Sequence, residues 1–121
     1  MTETETETET TPGRALAHPE RAAIRLDAVL HALSDPMRLL VVRKLAEAND
    51  ELACSAFELP VTKSTSTHHF RVLRESGVIC QQYRGTAKLN TLREDDLDAL
   101  FPGLLGTVLQ AAEAEATRLG S

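Results

Sequence analysis

Aromatic residues are scarce in this 121-residue chain, which has three Phe, one Tyr and no Trp. A core must therefore be built from Leu, Val, Ile and Ala, and the hydrophobic share of 42% is normal for one soluble globular domain. No apolar run is long enough to cross a bilayer, and the first residues lack the basic and apolar regions of a signal peptide. We therefore expect a cytoplasmic protein with no membrane partner.

Cysteine and catalytic motifs are also scarce. Cys54 and Cys80 are too few for a disulfide framework, and they agree with a reducing compartment. An isolated cysteine is more often a small buried hydrophobic residue than a redox centre, so redox activity at either position stays open. The sequence shows no Ser/His/Asp set and no glycine-rich phosphate loop, so we do not expect an enzyme such as a small hydrolase.

The first eleven residues alternate Thr and Glu and offer no apolar face to bury. This composition predicts a disordered acidic tail over residues 1–17, followed by one folded domain over residues 18–121. A solubilising role is the simpler interpretation of the tail. The alternative is that its carboxylates and the nearby His18 bind a divalent cation weakly.

Charge is distributed unevenly about a formal net charge of −5. From Pro60 to Arg93 the chain has six Lys and Arg residues and one acidic residue, whereas the rest has seven and seventeen. Segregation of this kind directs one basic surface towards a polyanion, although a solvated basic helix and hairpin is the simpler alternative.

The segment from Thr62 to Ile79 predicts a helix with two different faces. Thr62 suits the N-cap, and Gly77 suits the left-handed position that follows a helix. Phe70 and Leu73 mark the buried stripe. The opposite face suits duplex DNA, because it offers cationic and hydrogen-bonding groups on Lys63, Ser64, Thr67, His68 and Arg71.

The segments before this helix predict a helix-turn-helix. The first helix should begin near Pro19, and the second begins at Asp35-Pro36, which supply a cap and a first-turn proline. Residues 51–59 predict a short third helix, and the turn at 59–61 leads into the recognition helix.

The segments after the helix predict a wing and a dimer surface. Residues 82–92 alternate with period two around an Arg84-Gly85-Thr86 turn, so a hairpin should present Arg84 and Lys88 to an anion. The last helical region restarts at residues 102–103. Its apolar, alanine-rich stripe and that of the first helix lack a covering element, which favours a homodimer through the first and last helices.

Two of these segments, residues 32–40 and 64–79, resemble the ArsR/SmtB winged-helix transcription regulators, and the resemblance covers residue 18 to the C-terminus. It implies a mainly α fold with a small β-hairpin, in the order α-α-α-α-β-β-α. It also implies a homodimer that binds an inverted-repeat operator in double-stranded DNA and responds to an effector. By position, base reading falls to Lys63, Ser64, Thr67 and His68, with Arg71 nearer the phosphates.

The chain departs from the family at its effector sites. The usual Cys-x-Cys pair is absent, since residues 51–55 hold only Cys54, and residues 104–121 contain no His or Cys. Ser66 also stands where the family usually has an apolar residue. We therefore expect no certain cofactor. The hypotheses are a divalent transition metal at a non-standard site with His18 and Cys54 as candidates, a cysteine-based redox response, or a small organic effector. A winged-helix module that binds a partner protein, or serves another regulator, is the alternative function.

Overall fold

The computed structural model of the protein describes residues 16–120, so most of the predicted tail over residues 1–17 lies outside the described range. Within that range, five helices and a three-stranded antiparallel sheet form the predicted winged helix-turn-helix. Two short 3-10 turns cover Arg21–Ala23 and Cys54–Ala56. The elements are, in chain order, α1 (Leu26–Leu33), α2 (Pro36–Ala48), β1 (Leu52–Ala53), α3 (Lys63–Glu75), β2 (Ile79–Arg84), β3 (Ala87–Leu92), α4 (Glu94–Leu100) and α5 (Leu104–Leu119).

The predicted third helix over residues 51–59 is wrong. Asn49 ends α2 in the left-handed region at φ 52°, and the chain then pairs through β1 with β3 before a 3-10 turn. A nine-residue helix with few apolar anchors is marginal, whereas the edge of a sheet supplies hydrogen bonds at once. The first helix also begins later than predicted, because Ile24 and Arg25 adopt extended backbone and place the Ile24 side chain in the core.

The start of α2 is held by its predicted cap and by a buried arginine. Asp35 Oδ1 accepts from the Met37 and Arg38 amides at 2.8 and 3.2 Å. Burial raises the pKa of Asp35, but the Arg38 and Met37 amides together with nearby positive charge, including that of Arg38, hold the pKa below its usual value. A negative charge at this helix N-terminus is therefore favoured.

Arg38 links α2 to the end of α1 and to the middle of α3, although it is only 6% exposed. Its guanidinium donates to Ala32 O at 2.8 Å and to His31 O at 3.2 Å, which are carbonyls in the last turn of α1. A third nitrogen, Nη1, lies 3.2 Å from His69 Nδ1 in α3. Because arginine only donates, Nδ1 accepts and the imidazole proton lies on Nε2, 3.8 Å from Asp35 Oδ1.

Both predicted ends of α3 are confirmed. Thr62 Oγ1 accepts from the Thr65 amide at 3.2 Å. At the other end Val78 N donates to Leu73 O and Gly77 N to Arg74 O, at 3.0 and 3.1 Å, which is the Schellman pattern. Gly77 has φ +90°, and a Cβ there would lie 2.6 Å from Ile24 Cγ1, so both the backbone and the core require glycine.

The predicted hairpin is confirmed, and it belongs to a sheet with strand order β1-β3-β2. Its register runs from Ile79↔Leu92 to Arg84↔Ala87, so a two-residue turn with Gly85 at φ 64° closes the wing. The open edge of β2 is covered by the start of the described chain. Leu16 N donates to Gln81 O at 3.3 Å, and Gln81 N donates to His18 Nε2 at 2.8 Å.

Acid should weaken the fold through His18, whose Nε2 accepts a hydrogen bond only when it carries no proton. Burial lowers the pKa of His18 below 6.5, and Arg93 and Arg74 lower it further against an opposing hydrogen bond to the Leu16 backbone. The stabilisation is therefore present above pH 6.5 and is lost as pH falls through the lowered pKa. We expect thermal melts followed by circular dichroism to show a falling midpoint from pH 7 to about pH 5.

The matched variant is His18→Gln, whose amide oxygen accepts from Gln81 N at any pH in this range. Its melting midpoint should fall less on acidification than that of the wild type. His31→Gln changes an exposed histidine and should retain the full decrease. An undiminished decrease in His18→Gln would show that His18 does not link pH to folding.

Candidate nucleic-acid interface

The recognition helix α3 divides its residues between the core and solvent as predicted, with one exception. Phe70 and Leu73 are 5% and 0% exposed, and they anchor the helix. The exception is His69, which follows His68 in the sequence but is buried at 7% exposure, with Nδ1 3.2 Å from Arg38 Nη1 and Nε2 3.8 Å from Asp35 Oδ1. The five predicted site residues of this helix share the exposed side: Lys63, Ser64, Thr67, His68 and Arg71.

Hydroxyl groups concentrate at the N-terminus of α3. Thr62 Oγ1 lies 2.9 Å from Thr65 Oγ1 and 3.3 Å from Ser64 Oγ, and no acidic residue occupies the first turn. Thr67 Oγ1 donates to Lys63 O at 3.0 Å, which leaves its lone pairs as acceptors. Hydroxyls, a lysine and the positive end of the helix dipole together suit an anion at this end.

The two predicted cations of the wing have different surroundings. Arg84 Nη1 lies 2.7 Å from Glu51 Oε1, with side-chain exposures of 61% and 29%. Sequence reasoning missed Glu51 as a partner, because it placed that residue in a helix instead of beside β1. Lys88 is half-buried, and its Nζ lies 5.5 Å from the centroid of the Tyr83 ring. Arg84 is thus partly neutralised, whereas Lys88 rests on an aromatic face.

Two other cations of the basic segment serve the fold. Arg74 Nη1 donates to Gln81 Oε1 at 2.8 Å. Arg93 pairs with Asp96 at 2.8 Å and donates to Pro19 O at 2.8 Å. Hydrogen bonds from Arg21 and Arg93 hold the pKa of Asp96 below its usual value. Four cations are left to contact a polyanion, fewer than the six that the segment's composition indicates: Lys63, Arg71, Arg84 and Lys88.

A groove of about 570 Å³ lies between the N-terminal half of α3 and the wing. Lys63 and Thr67 border it from the helix, and Lys88 borders it from β3, so side chains of both predicted binding elements meet on one side of the molecule. We call it the wing groove. Its lining residues are Ala53, Cys54, Ser55, Phe57, Glu58, Leu59, Val61, Lys63, Ser66, Thr67, Phe70, Tyr83, Thr86, Ala87 and Lys88.

The two candidate metal ligands contribute to hydrogen bonds around a buried amide pair. His18 Nε2 accepts from Gln81 N, and Cys54 Sγ lies 3.3 Å from Asn90 Nδ2 and 3.8 Å from Gln81 Nε2. A metal at either residue would have to replace these donors. Within residues 16–120, no group of three or more His, Cys, Asp or Glu residues is placed to hold a metal ion. The metal site therefore stays a prediction without a ligand set.

Exposed apolar side chains lie on the helices predicted to form the dimer. Leu26 and Leu30 on α1 are 45% and 46% exposed, and Leu119 at the end of α5 is 66% exposed. Ala112 and Ala116 were expected on the uncovered face of α5, but they are buried within the chain at 6% and 8% exposure. Among the described helices, none is long and apolar enough to cross a membrane.

Comparisons with known proteins relate this arrangement to regulators of transcription. The chain is 34% identical over 82 residues to the uncharacterised HTH-type transcriptional regulator YceK of Bacillus subtilis, which is 66% of this chain and 82% of that protein. It is 30% identical over 59 residues to the uncharacterised HTH-type transcriptional regulator MJ1325 of Methanocaldococcus jannaschii, which is 48% of this chain and 66% of that protein.

A solved structure of an ArsR family transcriptional regulator shares the fold. It matches with a TM-score of 0.55 and 22% sequence identity, over 78% of this chain and 93% of that one. No protein-family model matches the chain.

Proposed function

Because the chain belongs to the HTH-type transcriptional regulators and has the fold of an ArsR family member, we propose that it binds an inverted-repeat operator as a homodimer. Its membership confirms the resemblance carried by residues 32–40 and 64–79. Since the relatives are transcriptional regulators, the expectation that the chain is not an enzyme is also confirmed.

The observation that carries the proposal is the exposed face of α3. Lys63, Ser64, Thr67 and His68 stand on it within two turns, while Leu73 on the other side is fully buried and fixes the rotation of the helix. Lysine, hydroxyl and imidazole groups are able to donate to or accept from base edges in the major groove. The width of that groove admits an α-helix, and the N-terminal residues of a recognition helix are the ones that reach the bases.

Phosphate contacts are assigned to cations beside this face. Arg71 is exposed one turn further along α3, and Arg84 and Lys88 extend the positive surface onto the wing. Such contacts supply affinity and fix orientation, but they carry no sequence information themselves. Arg84 has to leave Glu51 before it meets a phosphate, so the wing arginine exchanges one anionic partner for another.

A homodimer explains the apolar residues that the single chain leaves uncovered. Leu26 and Leu30 are one turn apart on α1 and therefore share a face. Pairing of α1 and α5 with their copies across a two-fold axis would remove these side chains and Leu119 from water. It would also present two copies of α3 to successive major grooves, so the operator should contain half-sites spaced by about one helical turn, 10–10.5 bp.

Base reading predicts a specific pattern of losses. After the wild type selects an operator from a randomised duplex library, Thr67→Ala or His68→Ala should lose about 1–3 kcal/mol on the selected sequence and much less on unrelated DNA. Fluorescence anisotropy at fixed salt measures both. Arg71→Gln is the control, because a lost phosphate contact should weaken binding to all sequences alike. Uniform losses for Thr67→Ala and His68→Ala would remove these residues from base reading. Failure to select any sequence would favour the protein-interaction alternative.

The ion pair on the wing predicts opposite effects for its two members. Arg84→Gln should reduce the slope of log K against log salt by about 1 per site, because one fewer counterion is released. Glu51→Gln should increase DNA affinity at low salt, since Arg84 no longer has a competing carboxylate. Binding isotherms at several salt concentrations measure both effects, with Arg118→Gln at the end of α5 as a control. If neither variant changes the slope or the affinity, Arg84 stays paired with Glu51 on DNA.

The dimer surface predicts a concentration-dependent defect. Leu30→Glu places a charge on the apolar face of α1, where burial against a second copy would be costly. We expect this variant to sediment as a monomer at concentrations at which the wild type is a dimer, and to bind a full operator more weakly. Ala99→Glu adds the same charge at an exposed position of α4 and should stay dimeric. A monomeric wild type, or a dimeric Leu30→Glu, would contradict this interface.

A further inference from the structure

The wing groove has the size and the wall of a small-molecule site. Its volume of about 570 Å³ lies within the roughly 300–1,000 Å³ of ligand pockets. Phe57 and Phe70 form part of its wall and meet edge to face, with ring centroids 5.4 Å apart at an angle of 60°. Leu59, Val61 and Ala53 add apolar surface beside them. Duplex DNA presents mainly phosphates and polar base edges, so DNA binding alone does not require such an apolar wall.

The groove owes part of its depth to Ser66. This residue is half-buried in α3 and lines the groove near the two rings. A leucine or isoleucine at the same position would extend several atoms further and would occupy this space. Ser66, which stands where the family usually has an apolar residue, therefore lines a cavity in the structure.

Charged groups at the groove select the sign of a ligand. Lys63 borders it from α3 and Lys88 from β3, whereas Glu58 is the one acidic residue among its described lining residues. We propose that the wing groove binds a small anionic amphiphile, such as a medium-chain carboxylate. Its apolar part packs on Phe57 and Phe70, and its carboxylate pairs with Lys63 and Lys88. The proposed ligand would be the effector of the regulator. Its binding to the groove does not depend on the proposed function, but its effect on DNA binding does.

Occupation of the groove would oppose DNA binding directly. Lys63 and Thr67 are assigned to base edges and Lys88 to a phosphate, and all three border the groove. A carboxylate that neutralises both lysines removes two of the positive charges which attract the duplex. The ligand therefore competes with DNA for the same surface of α3 and the wing. This inhibition requires no conformational change between distant sites.

Direct binding is measured on the full chain without DNA, with octanoate as the probe. Tyr83 is the sole tyrosine of a chain without tryptophan and lines the groove, so its fluorescence reports on this site. We expect octanoate to change this fluorescence saturably and to release or absorb heat in calorimetry, and 1-octanol to bind more weakly. Binding of octanol with the same affinity as octanoate would overturn the anionic selectivity. A lack of saturable octanoate binding would overturn the site itself.

Variants of the lining residues test separately the contribution of charge and the contribution of groove volume to octanoate binding. Lys63→Gln and Lys88→Gln should each weaken octanoate by about two- to fivefold, and Glu58→Gln should strengthen it by a similar factor, since exposed charges interact modestly. Ser66→Leu should abolish binding by filling the groove, whereas Ser66→Ala should retain it; melting curves verify that both variants fold. If Ser66→Leu does not fold, the three charge variants decide. Unchanged affinity in all of them would place octanoate elsewhere and overturn the proposal.

Competition is tested by adding octanoate to the complex with the selected operator. We expect displacement whose midpoint rises with DNA concentration, and loss of displacement in Ser66→Leu. Arg71→Gln, which does not line the groove, should weaken DNA but bind octanoate as the wild type does. Octanoate binding without any selected operator would refute the proposed function and leave the groove site standing. A selected operator with no octanoate binding would refute the groove site alone.

Discussion

The buried guanidinium of Arg38 is the contact on which the geometry of the helices depends. It satisfies two carbonyls at the end of α1 and a ring nitrogen of His69 in α3, while its own backbone amide is held by Asp35. A buried charge is stable only when its donors are used, and here the acceptors come from two other helices. The angle between α2 and α3 is therefore set by directed hydrogen bonds as well as by apolar packing.

This arrangement decides which side of α3 faces solvent. His69, Phe70 and Leu73 are held inside, so the residues on the remaining side of the helix face solvent: Ser64, Thr67, His68 and Arg71. Neutral groups such as Ser64 and Thr67 stand on the outer side at no energetic cost, because water already satisfies them. The same rotation places Ser66 at the boundary, where it belongs to neither the core nor the outer face and opens the groove towards the wing.

Local patterns predicted the fold wherever one residue determines one backbone feature. Asp35, Thr62 and Gly77 each act through a cap, and each was predictable from residue type and spacing. The segment at residues 51–59 was not, because its strand depends on pairing with Leu89 and Asn90 far along the chain. The distant partners of Arg84 and Arg93 were hidden for the same reason. Composition counted these two as surface cations, but only the folded chain brings Glu51 to Arg84 and the Pro19 carbonyl to Arg93.

Two buried amides give the wing a single alignment. Gln81 and Asn90 face each other across β2 and β3, are fully buried, and share a hydrogen bond of 2.7 Å. Asn90 Nδ2 also donates to Leu52 O at 3.0 Å, which ties in the third strand. A slip of β2 by one position would place Gln81 on the opposite face of the sheet from Asn90, and would leave the Asn90 amide without this partner at a cost of roughly 1–3 kcal/mol. Hairpins with another register are therefore less stable, and the tip of the wing keeps one position relative to the recognition helix α3.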